Sequence, residues 1–167
     1  AFLPDCAVGP PGGYQAVYGT ADNVLPYDGG LGGPIRGFLS ANPLDASAAD
    51  TDEQQAQVSS IAFPPVDDAL ARWADRNGCA PEPDEERVSD EVVRRWWPGC
   101  EGGAEVVLYV VEGGGHSWPG TPLFDGGTAA AADTAAGGLA SVAGTTTVDI
   151  SATELAWEFF ERHQRLP

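Results

Sequence analysis

A histidine that follows a glycine run is the residue best placed to do chemistry in this sequence. The apolar segment Val106 to Val111 leads into Gly113-Gly114-Gly115, and His116 comes next. Glycine permits positive φ angles and adds no side chain, so an imidazole at this point can reach across to a neighbouring group. The pattern is typical of a general base held at the edge of a β-sheet.

An acidic residue in the first part of the chain has a similar setting. Asp22 follows the strand-like segment Tyr14 to Tyr18 and a short Gly-Thr-Ala turn. A carboxylate on a loop after a strand can accept a hydrogen bond from an imidazole and orient it. Alternatives stay open: Asp28 is a second candidate for the acid, Asp22 could simply form a turn, and His116 could be a loop histidine bonded to a backbone carbonyl.

The order of these two residues, acid first and histidine second, is that of the last two members of the α/β-hydrolase triad, Ser, Asp, His. The G-x-S-x-G turn that presents such a serine is absent from the 167 residues. We therefore expect the serine upstream of Ala1, and the chain to be the C-terminal half of one α/β-hydrolase catalytic domain. Its expected partners are an ester substrate and the N-terminal half of the same enzyme.

Composition excludes several other classes of partner. A net charge of −17 argues against binding to nucleic acid or to anionic membrane surfaces. No segment approaches the roughly 18 consecutive apolar residues of a membrane span. The three cysteines form no C-x-x-C pair, which gives little support to a zinc or redox site. We expect no metal and no cofactor.

The cysteines also bear on cellular location. A bridge between Cys79 and Cys100 would contribute about 3 kcal/mol in the chain-entropy model and would leave Cys6 for a partner in the missing half. Such bridges persist in secreted proteins, so secretion is favoured. Three reduced thiols in a cytosolic protein are the alternative.

The apolar pattern predicts the elements that position the two candidate residues. The segment from Glu105 to Val111 is nearly all apolar, which predicts a strand covered on both faces. Val92 to Trp97 favours a strand, with a short helix as the alternative. Strands alternating with helices predict a mostly parallel sheet with flanking helices. Flexible loops are expected at about 31–60 and 121–147, and the charged, proline-containing residues 80–90 are also expected to form a loop.

Two helices are predicted on the sheet. Pro64-Pro65 begins the first, and Val66, Leu70 and neighbouring apolar residues recur at helical spacing. Ser151 to Glu154 is a capping box that begins the second. The second helix is expected to pack its aromatic side on the sheet, formed by Leu155, Trp157, Phe159 and Phe160.

Four segments in this order resemble the secreted esterases similar to polyhydroxybutyrate depolymerases, a family that includes feruloyl and acetylxylan esterases. The segments are Tyr18–Asp22 with Val24–Tyr27, Trp73–Cys79, Gly113–Gly120, and Asp149–Glu154 leading into Trp157–Phe160. The resemblance implies an α/β-hydrolase fold and cleavage of polyester or plant cell-wall esters through an acyl-serine. It covers most of the chain outside the two predicted loops.

By that resemblance, Asp22 is the acid of the triad, His116 is the base, and the cysteine pair of the family corresponds to Cys79 and Cys100. Proteins of this family often have a histidine where this chain has Tyr18, so no role of that histidine is carried over.

Aromatic residues near the two candidates could contact substrate. Trp118 and Tyr27 are predicted to line the substrate cleft, with packing on the sheet as the alternative for each. A different class of function remains open: a non-catalytic polymer- or carbohydrate-binding module with Trp96, Trp97 and Trp118 as its stacking platform. A degenerate hydrolase that serves as a scaffold is the other alternative.

Overall fold

A four-stranded sheet with helices on both faces forms the described part of the chain. A computed structural model describes residues 9–41, 63–121 and 143–164. The strands are β1 (Tyr14–Gly19), β2 (Asp84–Arg87), β3 (Val92–Trp97) and β4 (Val106–Val111). The helices are α1 (Gly33–Ala41), α2 (Val66–Arg76) and α3 (Ala152–Arg162), with a short 3-10 helix at Glu101–Gly103. None of the described helices is long and apolar enough to cross a membrane.

The sheet is mixed, whereas the sequence predicts a mostly parallel one. Its strand order is β1-β4-β3-β2, and of the described pairs only β1 with β4 is parallel. Residues 88–91 join β2 to β3, and residues 98–105 join β3 to β4. A parallel pair needs a crossover of roughly a dozen residues or more, so these short connections force antiparallel pairing. The β1–β4 connection is long and carries α2.

Strand β4 is the centre of the core, as its apolar run predicts. All six of its residues are buried. Because side chains alternate along a strand, they divide between two faces. One face packs against α2 and contains Val106, Leu108 and Val110. The other packs against Ile150 and Leu155 near and within α3, and contains Val107, Tyr109 and Val111. Each fully buried side chain of this kind contributes about 1.5–3 kcal/mol.

Two elements lie where the sequence predicts loops. Helix α1 falls within the predicted loop 31–60, and β2 falls within a charged, proline-containing segment. Every residue of β2 is exposed, and its neighbour β3 provides ion pairs, such as Glu85 with Arg95 at 2.8 Å. An edge strand held by cross-strand pairs shows no hydrophobic periodicity, so the pattern missed it. Residues 42–60 and 122–142 of the predicted loops lie outside the described residues.

Helix α3 begins at the predicted capping box but buries only part of its aromatic side. The Ser151 hydroxyl accepts the backbone N–H of Glu154 at 3.2 Å. Phe159 is 5% exposed, whereas Trp157 and Phe160 are 65% and 66% exposed. Successive helical residues are 100° apart, so Trp157 points about 200° away from Phe159. One helix face cannot hold all the aromatic residues of this segment.

The end of α2 is fixed to the rest of the chain by a disulfide and a buried amide. Cys79 is bonded to Cys100, the pair that the family resemblance implies. Asn77 is fully buried, and its Nδ2 donates to the carbonyl of Gly12 at 2.8 Å. The carbonyl of Asn77 accepts the N–H of Glu101 at 2.7 Å. Three separate segments of the chain therefore meet here. Cys6 lies outside the described residues.

A carboxylate before β4 anchors the end of α3. Glu105 Oε2 lies 2.9 Å from His163 Nε2 and 3.3 Å from the Arg162 guanidinium, and Oε1 lies 3.6 Å from Arg94. Partial burial opposes ionisation of Glu105. The hydrogen bonds and positive charge of His163 and Arg162 outweigh burial and hold the pKa of Glu105 below its ordinary value. His163 is thus structural, and it lies at the C-terminus of α3, where the helix dipole favours a positive charge.

Glu105→Gln is expected to destabilise the chain at pH 7 by roughly 1–2 kcal/mol, because it removes a charged acceptor. A carboxyl with a lowered pKa in the folded state stabilises fully above its unfolded pKa, and this contribution is lost as pH falls through the folded pKa. Thermal unfolding at pH 7 and pH 3 measures the effect. The gap between parent and variant should shrink at pH 3. Glu91→Gln, an exposed control, should give no gap at either pH, and a gap that persists at pH 3 would contradict this account.

Candidate active site

Asp22 and His116 meet at one edge of the sheet. Asp22 follows β1 and His116 follows β4, and these strands are adjacent and parallel. Asp22 Oδ2 lies 2.8 Å from His116 Nδ1, although 94 residues separate the two. The carboxyl ends of adjacent parallel strands meet at the same edge, and this explains why the two loops come together.

The carboxylate of Asp22 is buried and held by backbone. Its side chain is 6% exposed. Oδ1 accepts the N–H groups of Val24 and Leu25, each at 2.8 Å. Two amide donors on one oxygen fix the plane of the carboxylate, so the other oxygen remains directed at His116.

The loops after β1 and β4 approach so closely that only glycine fits between them. A Cβ on Gly19 would collide with the carbonyl of Gly114. The backbone N–H of Ala21 donates to that carbonyl at 2.9 Å, and the Thr20 hydroxyl accepts the N–H of Gly113 at 2.8 Å. Gly113 has a positive φ of 74°, which glycine adopts without strain. The glycine run therefore packs the histidine loop onto the aspartate loop.

A third segment, residues 143–147, supports the histidine loop from the other side. The carbonyl of Thr145 accepts the N–H of Gly115 at 2.8 Å and the Ser117 hydroxyl at 3.0 Å. The Thr145 hydroxyl donates to the carbonyl of Gly113 at 2.7 Å. Hydrogen bonds thus hold the residues on both sides of His116. Residues 143–147 belong to the predicted loop 121–147 and form a wall of the site.

A cavity of about 380 Å³ opens beside the pair. Its lining includes Asp22, His116 and Trp118, together with apolar side chains of both loops, among them Leu25 and Val111. The His116 side chain is 46% exposed, and within the described ranges its Nε2 has no hydrogen-bond partner. A carboxylate that accepts from Nδ1–H leaves Nε2 as the basic nitrogen. The arrangement can therefore take a proton from a group that enters the cavity.

Trp118 lies at this cavity in a defined position. Its indole Nε1 donates to the hydroxyl of Thr153, in the first turn of α3, at 2.9 Å. Nearby backbone bonds join Pro119 to Ala152 at 3.0 Å and Gly120 to Thr147 at 2.9 Å. The indole remains 55% exposed. Trp118 thus lies at the cavity with an aromatic surface open beside His116, and its contact with substrate stays a prediction.

Tyr27 is not among the residues that line this cavity. Its hydroxyl donates to Asp67 Oδ1 on α2 at 2.8 Å, and its ring packs edge-on against Tyr18. Burial and the hydrogen bond with Asp67 raise the pKa of Tyr27. The packing alternative describes Tyr27 better than the predicted contact with substrate. Tyr18 does line the cavity.

The other candidates are the alternative acid and the three tryptophans of the stacking platform. Asp28, the alternative acid, is exposed, and His116 is bonded to Asp22 instead. Trp97 is 5% exposed in the core on the α2 side, whereas Trp96 packs on the opposite face under Arg94. Trp96, Trp97 and Trp118 therefore do not form one stacking platform. Within the described ranges, no cluster of His, Cys, Asp or Glu could hold a metal ion.

Three threonines support the site and were missed by sequence reasoning. Thr20 and Thr145 position the glycine run, and Thr153 positions Trp118. Thr20 is in the turn before Asp22 and Thr145 is in a low-complexity segment, where no pattern distinguishes a supporting hydroxyl from a solvated one. Only the approach of distant segments reveals their role.

Comparison with known proteins relates the chain to an esterase. Feruloyl esterase B from Piromyces equi is 28% identical to the chain over 99 residues, which are 59% of this chain and 14% of that protein. The chain thus spans a small part of the relative's length. No protein-family model matches the chain. No solved structure matches it. The predicted relation to esterases is supported at this level.

Proposed function

We propose that this chain supplies the acid and the base of a carboxylic ester hydrolase with a Ser-His-Asp triad in an α/β-hydrolase domain. The observation that carries the proposal is the 2.8 Å contact between His116 Nδ1 and Asp22 Oδ2 beside an open cavity. The similarity to a feruloyl esterase points to the same chemistry. The nucleophilic serine comes from polypeptide outside these 167 residues.

The geometry gives each residue a step. His116 Nε2 takes the proton of the serine hydroxyl as the serine oxygen attacks the ester carbonyl. Asp22 holds the imidazole in the correct tautomer and stabilises the imidazolium that forms. The imidazolium then gives its proton to the departing alcohol oxygen, and an acyl-serine remains. In the second half-reaction His116 activates water, and the acid product leaves.

The proposed substrates are plant cell-wall esters, feruloyl or acetyl, or a polyester. Apolar side chains line the cavity, and the exposed indole of Trp118 offers a flat surface for a planar acyl group. The name of the relative favours a feruloyl ester over the other two. The proposed location is extracellular, where the Cys79–Cys100 disulfide is stable.

A second candidate is a polymer-binding module without catalysis, or a degenerate hydrolase retained as a scaffold. Two observations favour it: Trp118 is exposed beside the pair, and the 167 residues contain no G-x-S-x-G serine. In that case Asp22 and His116 only stabilise the two loops. The two candidates differ in whether a reactive serine ever meets His116.

A fluorophosphonate probe distinguishes them. The protein is labelled as its source organism makes it, and intact mass is recorded. We expect a labelled species much heavier than 17.3 kDa, because the serine belongs to the same enzyme. An unlabelled protein would contradict the triad and favour the binding module. Purified residues 1–167 should neither label nor hydrolyse esters, and turnover by them that His116→Ala abolishes would contradict the need for an outside serine.

A further inference from the structure

The glycine run before His116 depends on the residues around it for its direction. Gly113-Gly114-Gly115 separates Glu112 from His116. Glycine has more conformational freedom than any other residue, so three in succession do not by themselves hold a side chain in place. Glu112 is therefore the last residue before His116 whose own side chain can anchor the loop. The proposed mechanism gives it no step.

Arg87, the last residue of β2, holds the Glu112 carboxylate at two points. Arg87 Nη1 donates to Glu112 Oε2 at 3.1 Å, and Nη2 donates to Oε1 at 3.0 Å. A two-point contact of this kind fixes the direction of both groups, whereas a single contact allows them to rotate. The same Nη1 donates to the carbonyls of Asp90 at 3.2 Å and Ser89 at 3.5 Å. The turn after β2 therefore also holds the guanidinium.

The backbone of Glu112 is bonded to the same turn. Its N–H donates to the carbonyl of Glu91 at 2.8 Å. Residues 88–91 connect β2 to β3, and β3 lies between β2 and β4 in the sheet. Arg87 therefore reaches across the start of β3 to the residue that follows β4. This places the β2–β3 turn at the same edge of the sheet as His116.

The contact also gives a use to an edge strand that buries nothing. All four residues of β2 are exposed, so the strand adds no apolar side chain to the core. The Arg87 and Glu112 side chains are 54% and 50% exposed. Exposed ion pairs usually contribute little to stability. What this pair can contribute is the direction of the loop that begins at Glu112.

We propose that Arg87 is a positioning residue, which acts through Glu112 to fix the start of the glycine run and so the direction of the His116 imidazole. The proposal rests on the proposed function, because a fixed imidazole speeds proton transfer to and from the serine. A displacement of about 1 Å can slow such a reaction by roughly 10²-fold. Neither Arg87 nor Glu112 lines the cavity, so substrate binding should not depend on them.

Ester hydrolysis by the protein that carries its serine measures the effect. Arg87→Gln and Glu112→Gln should each lower kcat roughly tenfold and leave KM and the thermal midpoint close to those of the parent, because the contact is exposed and lies outside the cavity. The double variant should lose no more than either single variant, since both changes break one contact. Glu86→Gln is the matched control: Glu86 lies on the same strand, is 62% exposed and pairs with Arg94 at 3.8 Å. It should keep the parental kcat.

A second measurement needs no serine. Hydrogen exchange of the 167-residue chain follows the N–H groups of Gly113 and Gly115, which donate to two threonines of neighbouring segments. Both should exchange roughly tenfold faster in Arg87→Gln than in the parent, because their loop opens more often. The N–H of Leu108, in the middle of β4, should exchange as in the parent. Glu86→Gln should change none of the three.

The two measurements together separate the outcomes. Faster exchange in Arg87→Gln, in a protein without esterase activity, would support the anchor and contradict only the proposed function. Unchanged exchange, or unchanged kcat in an active protein, would overturn the proposal. Losses of kcat that add in the double variant would overturn it as well, because the two residues would then act separately. An equal loss in Glu86→Gln would trace the effect to the charge of the hairpin and not to the contact between Arg87 and Glu112.

Discussion

Asp22→Asn is expected to lower kcat/KM for ester hydrolysis by about 10⁴-fold in the protein that carries its serine, as loss of the correct imidazole tautomer does in a serine-protease triad. Asparagine keeps the size of Asp22 and could still accept from Val24 and Leu25, but it cannot hold His116 with a carboxylate. His116→Ala should cost more, about 10⁶-fold. Initial rates on a soluble aryl ester measure both.

Asp28→Asn is the matched control for this experiment. Asp28 is the same residue type, six positions along the same loop, exposed, and separate from the pair. Its variant should hydrolyse the ester at nearly the parental rate. A large loss of activity in Asp28→Asn, with activity retained in Asp22→Asn, would show that Asp28 and not Asp22 is the acid of the triad. Equal, small losses in both would mean that no carboxylate orients His116 during turnover.

Cys79→Ser/Cys100→Ser is expected to lower the free energy of unfolding by about 3 kcal/mol, because the bridge closes a loop whose ends are 21 residues apart. For a domain of this size the thermal midpoint should fall by roughly 6–12 °C. Calorimetry at pH 7 measures the change. The Asn77 contacts remain in the variant, so the chain should still fold.

Reduction provides the control for the disulfide prediction. Dithiothreitol should bring the midpoint of the parent down to that of the double variant and leave the variant unchanged. If dithiothreitol leaves the thermal midpoint of the parent unchanged, and this midpoint equals that of the variant, the bridge does not contribute to stability. A variant less stable than the reduced parent would mean that the serines themselves perturb the end of α2.

Sequence patterns predicted the elements that bury apolar side chains. Strand β4 has an unbroken apolar run, β3 has two valines and two tryptophans, and helices α2 and α3 have apolar residues at helical spacing; all four elements are present. Strand β2 and helix α1 were missed, because β2 is fully exposed and has no apolar pattern and α1 lies in a glycine-rich segment. The sheet was predicted to be mostly parallel, and this was wrong for the described strands. The length of a connection fixes the direction of the next strand, and apolar content does not reveal it.

The part of the site that could be predicted is the pair of residues marked by glycines and by their position in a loop after a strand. Gly113-Gly114-Gly115 and the Asp22 turn gave the pair that lies 2.8 Å apart. Tyr27 was assigned to the cleft from a neighbouring motif, yet its hydroxyl lies on Asp67. Proximity in sequence says little about which face of a loop a side chain occupies. The supporting role of Thr145 depends on its hydrogen bond to Gly113, 32 positions earlier in the chain, and no local pattern contains it.

The parallel pairing of β1 with β4 also sets the distance at which the aspartate and histidine loops begin. Gly19 stands opposite Val111, and this register alone brings the loops that follow to the same level. A slip of one residue would displace Asp22 by about 3.3 Å along the strand and invert the faces of β1. The hydrogen bond to His116 could not survive such a shift. The position of Asp22 therefore depends on the packing of the Tyr14, Val17 and Tyr18 side chains of β1 against the core, as well as on the contact between Asp22 and His116 itself.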